Sequence, residues 1–145
     1  MKLISHRGNI NGKDLLLENS PSYIETAIYL GYNVEIDVWY DDGVWLGHDA
    51  PEYKIPIEFL TSNSSRLWIH CKNFKALSKL LKYDLTIFYH EKEEYTIISN
   101  KLIWAHNIKT VDNTCIIPLL SKMDVEAWKP SDVYGVCSDY IELLK

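Results

Sequence analysis

Two histidines and two carboxylates in the first third of the chain have the types and spacing to support acid–base and metal chemistry. His6 and His48 each follow a short apolar run, and Glu35 and Asp37 stand two residues apart within another. Imidazoles titrate near neutral pH, so they suit both the removal and the delivery of a proton. Carboxylates at that spacing share one face of a strand and offer several oxygens to a hard divalent cation. A solvated edge strand would show the same alternation, and on the pattern alone that interpretation is the stronger one.

Two basic residues near these groups could bind a phosphate. Arg7 directly follows His6, and Lys72 ends a later apolar run. A guanidinium can bind two phosphate oxygens at once, and an ammonium adds a point charge. The chain has a net charge of -5 and no run of Lys and Arg, so nucleic acid or an anionic membrane surface has no electrostatic basis for binding. A phosphate must therefore be held by a local site.

Short strands that alternate with helical segments must position these residues. The alternation predicts parallel βα units, and parallel strands bring their carboxyl ends to one edge of a sheet. Ser20 and Pro21 predict a helix start, as N-cap and first helical residue, and Gly31 predicts its end. Residues 50–55 are predicted to be a loop. Further strands are predicted over 3–5, 34–38, 67–72, 86–90, 102–104, 115–117 and 133–137, a hairpin arm over 44–47, and further helices over 56–60, 76–81 and 138–144.

Length and cysteine usage predict one domain in a reducing compartment. The 145 residues suit a single domain spanning 1–145. Cys71, Cys115 and Cys137 are odd in number and lack the spacing of zinc or redox sites, which indicates buried free thiols. The N-terminal apolar run is too short for a signal peptide, and no segment has the length of a membrane span. We therefore expect a cytoplasmic protein without membrane insertion.

Six short motifs follow one another along the chain: His6-Arg7-Gly8, Glu18-Asn19, Glu35-Ile36-Asp37-Val38, Gly47-His48-Asp49, Trp68-Ile69-His70-Cys71-Lys72 and Gly135-Val136-Cys137-Ser138-Asp139-Tyr140. In this order they resemble the glycerophosphodiester phosphodiesterase family, a TIM-barrel group related to the phosphatidylinositol-specific phospholipases C. The similarity is close over residues 3–49, weak over 68–72, and returns over 135–140. Residues 83–132 match nothing in the family pattern.

This resemblance implies an α/β fold of the TIM type, a (β/α) barrel with parallel strands. A full barrel takes about 250 residues, so this chain would be a shortened or incomplete form. The activity implied is that of a phosphoric diester hydrolase, a metal-dependent phosphodiesterase acting on a small glycerophosphodiester-like substrate. The attacking group would be either a substrate hydroxyl or water.

Site roles are implied by the same resemblance. They are general acid/base catalysis for His6 and His48, phosphate binding for Arg7 and Lys72, metal binding for Glu35 and Asp37, and support of the site for Glu18, Asn19 and Asp49, with Glu18 packed near the metal. Two positions depart from the family pattern. His70 stands where the family has a third metal-binding carboxylate, and Ile141 stands where the family usually has proline.

His70 bears on the choice of metal. The resemblance implies Mg²⁺ or Ca²⁺, but an imidazole in place of a carboxylate makes the site less anionic and makes Mn²⁺ or Zn²⁺ more plausible. Two interpretations of His70 stay open. It is either a metal ligand or a group that stacks beside a metal held by the two carboxylates.

An alternative to the enzyme is a binding module for a phosphorylated small molecule. The missing third carboxylate and the short chain favour it, whereas two candidate proton-transfer histidines argue against it. His90 and His106 could line the pocket, since each follows a strand-like run, but structural roles are favoured for both. Asp139 either anchors the last loop at the site or caps a helix, and the cap is favoured. Strands lost from a barrel would leave open edges, so a homodimer is a hypothesis. Loops 9–17 and 50–66 are expected to set the choice of substrate alcohol.

Overall fold

A ten-stranded, mostly parallel sheet organises the protein, and the computed structural model describes it over all 145 residues. The strands are β1 Lys2–His6, β2 Asn33–Tyr40, β3 Val44–Leu46, β4 Tyr53–Ile55, β5 Leu67–Cys71, β6 Ile87–Phe88, β7 Tyr95–Ile97, β8 Ile103–Ala105, β9 Cys115–Pro118 and β10 Gly135–Ser138. The helices are α1 Pro21–Tyr29, α2 Ile57–Ser62, α3 Phe74–Leu80 and α4 Lys122–Ala127, followed by a 3-10 helix over Ile141–Leu144. None of these helices combines the length and apolarity needed to span a membrane.

The parallel strands form one row in the order β6, β5, β2, β1, β10, β9, β8. Antiparallel β3 and β4 extend one end of β2, and antiparallel β7 pairs with β8. The two ends of the row approach each other, as shown by a hydrogen bond of 2.9 Å from the Ser99 amide to the Ile87 carbonyl. The rings of Phe88 and Trp104 also stack at 4.7 Å there. Because the strands of the row are parallel, their carboxyl ends lie on one side of the molecule.

Both faces of β2 are buried. On one face Val34, Ile36 and Val38 pack in an apolar cluster that also holds Ile24 of α1 and Leu80 of α3. The opposite face presents Glu35 and Asp37, which are buried as well. The interpretation of this segment as a solvated edge strand is therefore wrong. Period-two alternation reports which side chains share a face, but the exposure of that face depends on what packs against it.

A second apolar cluster lies on the face of the sheet that holds the two carboxylates. It takes residues from most of the parallel strands and one residue just after β7: Ile4, Trp68, Phe88, Ile98, Trp104, Ile116 and Cys137. All three cysteines are free and buried, as predicted.

Most of the predicted elements are present, with ends shifted by one to three residues, and three short elements differ. Residues 53–55, predicted as loop, form β4 against β3. The sequence analysis also did not predict β7 or α4. β4 and β7 are three residues each, too short to show a period, and pair with a neighbouring strand. α4 did have a local signal, because Ser121 and Asp124 form a reciprocal capping box at its start.

Candidate functional site

A cavity of about 540 Å³ opens at the carboxyl ends of the parallel strands. Strand register explains its contents, since His6 pairs with Glu35 across β1 and β2, and Asp37 pairs with His70 across β2 and β5. The predicted residues that line the cavity are His6, Arg7, Glu35, His48, Asp49, His70 and Lys72. Asp37, Asn19 and Glu18 are buried directly behind them.

Three side chains from neighbouring strands could hold a metal ion. Single ligand atoms of Glu35, Asp37 and His70 all lie within 4.8 Å of one another. His70 Nδ1 lies 3.2 Å from Asp37 Oδ1 and 3.9 Å from Glu35 Oε1. Asp37 Oδ1 and Glu35 Oε2 are buried and accept no hydrogen bond. Because unpaired buried carboxylate oxygens are unfavourable, this donor set fits a divalent cation.

The backbone carbonyl of His90 orients the His70 ring. His70 Nε2 lies 3.1 Å from that carbonyl oxygen, which can only accept, so Nε2 holds a proton. In the neutral tautomer, Nδ1 then directs its lone pair at the two carboxylates, the arrangement typical of a metal-binding histidine. The same ring stacks on Phe88 with centroids 5.1 Å apart. Stacking and a ligand position are therefore compatible in one side chain.

Asp37 is the charged centre of the site. Its Oδ2 lies 2.9 Å from Arg7 Nε and accepts a hydrogen bond from Asn19 Nδ2 at 3.0 Å. Asn19 Oδ1 in turn accepts from the Asp37 amide at 3.0 Å. Burial alone would raise the pKa of the Asp37 carboxyl, but the adjoining His48 and His70 rings and the charge of Arg7 hold that pKa well below its ordinary value. Asp37 is therefore ionised.

The pKa of the Glu35 carboxyl is shifted in the opposite direction from that of Asp37. Burial and then the negative charge of Asp37 raise the pKa of the Glu35 carboxyl well above its ordinary value. A charge on Glu35 therefore needs a cation beside it.

His6 forms a pair with Asp139 from the end of the last strand. His6 Nδ1 lies 2.7 Å from Asp139 Oδ1, and His6 Nε2 lies 3.8 Å from Glu35 Oε2. Burial opposes ionisation of Asp139, but the hydrogen bond and charge of His6 lower its pKa below the ordinary value. An ionised carboxylate on Nδ1–H leaves Nε2 free to accept a proton.

The prediction that Asp139 caps a helix is wrong. The amide of Tyr140, at the start of the 3-10 helix, donates to Ser138 Oγ at 3.0 Å instead. The carboxylate of Asp139 turns into the site because the strand end places it beside His6, 133 residues earlier in the chain.

Asn9 is a buried site residue that the sequence analysis missed. Its Nδ2 donates to Glu18 Oε1 at 2.9 Å and to Asp139 Oδ1 at 2.7 Å. Glu18 Oε2 accepts from Arg7 Nη1 at 3.3 Å. Glu18 therefore belongs to the His6 and Asp139 group, not to the Glu35 and Asp37 group. A sequence signal was available, since Asn9 directly follows the His-Arg-Gly turn.

His48 occupies the rim of the cavity. Its Nδ1 is 3.4 Å from Asp37 Oδ2, and its Nε2 is 3.4 Å from Arg7 Nη2. Gly47 sets this position, with a φ of 152° and no room for a side chain, since an added Cβ would lie 2.1 Å from the Ala50 carbonyl oxygen.

The two predicted site residues not yet described are Asp49 and Lys72. Asp49 is exposed and lies 3.7 Å from His48 Nε2, and Lys72 Nζ lies 3.9 Å from Asp37 Oδ1. Lys72 lines the cavity beside Arg7, so both basic groups predicted for phosphate border the same space.

The far wall of the cavity is aromatic. His90 and His106 stack with centroids 3.9 Å apart, and both line the cavity, which is the alternative to the structural roles that the sequence analysis favoured. Burial and the nearby His70 lower the pKa of His90. Trp39, Tyr89 and Trp104 also line this space. The wall is therefore mainly aromatic, and the carboxylate of Glu91 also lines the cavity.

Comparison with known proteins found no match for the chain among protein-family models, among curated proteins or among solved structures.

The raised pKa of Glu35 predicts a pH-dependent effect of Glu35→Gln. An acid whose folded-state pKa is raised lowers stability as pH rises from the unfolded-state value, about 4.3, through the folded-state value. In chelator, the variant should therefore unfold several degrees above wild type at pH 8 and at the same temperature at pH 4. Calorimetry at both pH values measures this, with Glu25→Gln on the exposed face of α1 as control. If the unfolding temperatures of the variant and wild type differed by the same amount at both pH values, the raised pKa assigned to Glu35 would be contradicted.

Proposed function

We propose that this protein is a metal-dependent phosphodiesterase that cleaves small glycerophosphodiester-like substrates. The observation that supports it most is a single cavity lined by His6, which pairs with Asp139, and by Glu35 and His70, which with Asp37 could hold a cation. The ordered motifs that resemble the glycerophosphodiester phosphodiesterase family supply the reaction class. We expect the loops around the cavity to select the alcohol groups of the substrate.

We further propose that the sheet is a shortened barrel of the TIM type. Support comes from the approach of β6 to the segment after β7, and from the apolar cluster that collects residues from strands all along the row. In such barrels the active site lies at the carboxyl ends of the strands, where this cavity lies. The three buried free thiols support a reducing, cytoplasmic location. A homodimer stays a hypothesis.

In the proposed reaction Arg7 and Lys72 bind the phosphate oxygens and neutralise charge that develops on them. The attacking oxygen, from a substrate hydroxyl or water, gives its proton to His6 Nε2 as it bonds to phosphorus. The bond from phosphorus to the leaving alcohol oxygen breaks, and His48 gives that oxygen a proton. Asp139 stabilises the imidazolium that forms on His6. A divalent cation held by Glu35, Asp37 and His70 would polarise the phosphoryl group.

A binding module is the second candidate. One observation favours it, since Asp37 Oδ2 is already occupied by Arg7 and Asn19, which leaves fewer oxygens for a metal. Binding a phosphorylated ligand needs Arg7 and Lys72 but gives no reason for a carboxylate behind His6. The enzyme therefore explains more of the site.

The first test is hydrolysis of glycerophosphocholine, glycerophosphoethanolamine, glycerophosphoglycerol and a chromogenic diester with Mg²⁺, Ca²⁺, Mn²⁺, Zn²⁺ or chelator. We expect metal-dependent turnover that falls by about 100-fold to 10,000-fold in His6→Ala and in His48→Ala, because each removes a proton-transfer group. Circular dichroism should show both variants folded. Full activity in either variant would overturn its role. Phosphate or metal binding without any turnover would favour the binding module.

Asp139→Asn tests the positioning of His6. We expect kcat to fall by about tenfold to 100-fold with KM little changed, since the substrate does not contact this residue. The pH–rate profile should also move to lower pH, because the anion that stabilises the imidazolium is lost. A purely structural role would lower the amount of folded protein and leave the profile of the remainder unmoved.

The order in which divalent metals stabilise the protein tests whether His70 is a metal ligand. Wild type should be stabilised more by Mn²⁺ or Zn²⁺ than by Mg²⁺ or Ca²⁺ in thermal unfolding, and a ligand at 100 times its Kd adds about 2.7 kcal/mol. His70→Glu should reverse the order, because carboxylate oxygens favour hard cations. Glu25→Gln on the exposed face of α1 is the control, since Glu25 belongs to neither group of candidate metal ligands, and it should keep the wild-type order. An unchanged order in His70→Glu would exclude His70 as a ligand.

A further inference from the structure

The cavity at the strand ends is larger than its charged centre needs. Its volume of about 540 Å³ lies in the range of roughly 300 to 1,000 Å³ that is usual for pockets of organic ligands. A phosphate at Arg7 and Lys72 would fill only the part beside those two side chains. The rest of the space is bordered by what we call the aromatic wall, which consists of Trp39, Phe88, Tyr89, His90, Trp104 and His106.

The two histidines of the aromatic wall form a stack that contacts between loops hold in place. The rings of His90 and His106 lie 3.9 Å apart and within 16° of parallel. The His106 amide donates to the Glu94 carbonyl at 2.8 Å, and Glu94 Oε1 accepts from Asn107 Nδ2 at 3.3 Å. Glu93 Oε2 lies 3.3 Å from His90 Nδ1. The ring pair is therefore ordered before a ligand binds, which lowers the entropy cost of stacking against it.

His106 is the exposed member of this pair. Partial burial and the nearby His90 lower its pKa to about 4, so the ring is neutral at pH 7. A neutral imidazole is a flat π surface on which a heteroaromatic base can stack. The ring lines both the main cavity and a neighbouring cavity of about 440 Å³. A ligand that extends from the charged centre along the aromatic wall therefore reaches His106 where the two cavities meet.

The neighbouring cavity has hydrogen-bonding groups and no apolar side chain in its lining. Asn107 and Lys109 supply donors there, and the carboxylates of Glu93 and Glu94 supply acceptors. A heteroaromatic ring has apolar faces and polar edge atoms, so a ring stacked on His106 would present its edge to these groups. An acyl chain would instead pass from the aromatic wall into a wholly polar space, which is unfavourable.

A quaternary ammonium group matches the aromatic wall less well. Such a cation binds over the faces of aromatic rings. The Phe88 ring stacks with His70 at 5.1 Å and with Trp104 at 4.7 Å, so these rings contact one another through their faces. Ring edges carry partial positive charge and repel a cation. The Glu91 carboxylate, which borders the wall, already accepts from the Tyr89 hydroxyl at 2.8 Å.

We propose that the aromatic wall forms a subsite for a flat heteroaromatic ring, so that one alcohol of the phosphodiester substrate is of the nucleoside type. The inference rests on the proposed phosphodiesterase function and names its substrate class. The ring stacks on His106 while the phosphate lies at Arg7 and Lys72. The net charge of -5 gives a nucleic-acid strand no electrostatic support, but a single nucleoside unit needs no extended basic surface.

The test is the binding of three phosphate monoesters, the kind of product that such an enzyme would release. They are adenosine 5′-monophosphate, ribose 5-phosphate and phosphocholine, and calorimetric titration of the full chain in chelator and with Mn²⁺ measures each Kd. We expect adenosine 5′-monophosphate to bind about tenfold more tightly than ribose 5-phosphate, because only the former carries a base that can stack. Phosphocholine should bind no better than ribose 5-phosphate.

Variants of His106 show whether the ring face is responsible. His106→Ala should remove most of the preference for the base, whereas His106→Phe should keep it, because phenylalanine restores a flat ring without the imidazole nitrogens. The matched control is Tyr29→Ala, an aromatic residue that is 89% exposed at the end of α1 and lines neither cavity. Its preference should equal that of wild type.

Several outcomes would overturn the proposal. Wild type that binds none of the monoesters, or binds the two ribose compounds equally, removes it. An unchanged preference in His106→Ala, or a preference lost in His106→Phe, does the same. Tighter binding of phosphocholine would assign the aromatic wall to a quaternary ammonium group. Failure of the phosphodiesterase is separate, because it would abolish diester turnover and leave the monoester affinities measurable, whereas diester turnover without a preference for the base would remove this inference alone.

Discussion

The site is organised around one buried, ionised carboxylate. Asp37 lies on an inward face of β2 with no solvent around it, so its charge is stable only because Arg7, Asn19, His48 and His70 all contact it. Each of those residues comes from a different segment of the chain. Removing the partners would leave an uncompensated buried charge. The chemistry and the local fold therefore depend on the same interaction.

The charge of Asp37 also separates two functional groups within one cavity. Together with burial, this charge raises the pKa of Glu35, and the proposed cation would offset the charge of the carboxylate pair. On the other side of Arg7, Asn9 joins Glu18 to Asp139, and Asp139 fixes the His6 ring. His6 Nε2, the proposed proton acceptor, and Glu35 Oε2, a proposed cation ligand, lie 3.8 Å apart. Phosphoryl transfer needs that proximity, since acid–base and charge-neutralising groups must act on one phosphorus centre.

Much of the fold was predictable because local signals agreed with long-range structure. The alternation over 34–38, the Ser20–Pro21 helix start and the βα rhythm all indicated the observed elements. Two of the missed elements, β4 and β7, are strands only because a neighbouring strand pairs with them. Asp139 was misassigned for a similar reason. A Ser-Asp pair before a short helix is a common cap, and the contact that redirects Asp139 joins residues 133 positions apart.

The sequence by itself determined which side chains are available for chemistry, their order along the chain, and their placement at strand ends. It did so because strand periodicity and turn residues are local properties. The tertiary structure alone decided that both faces of β2 are buried, and that the His90 carbonyl sets the tautomer of His70. It also placed Asn9 between Glu18 and Asp139, and left Leu15, Leu16 and Leu17 exposed. These features depend on which segments meet in space, and a linear pattern does not include the neighbours that supply burial, charge and hydrogen bonds.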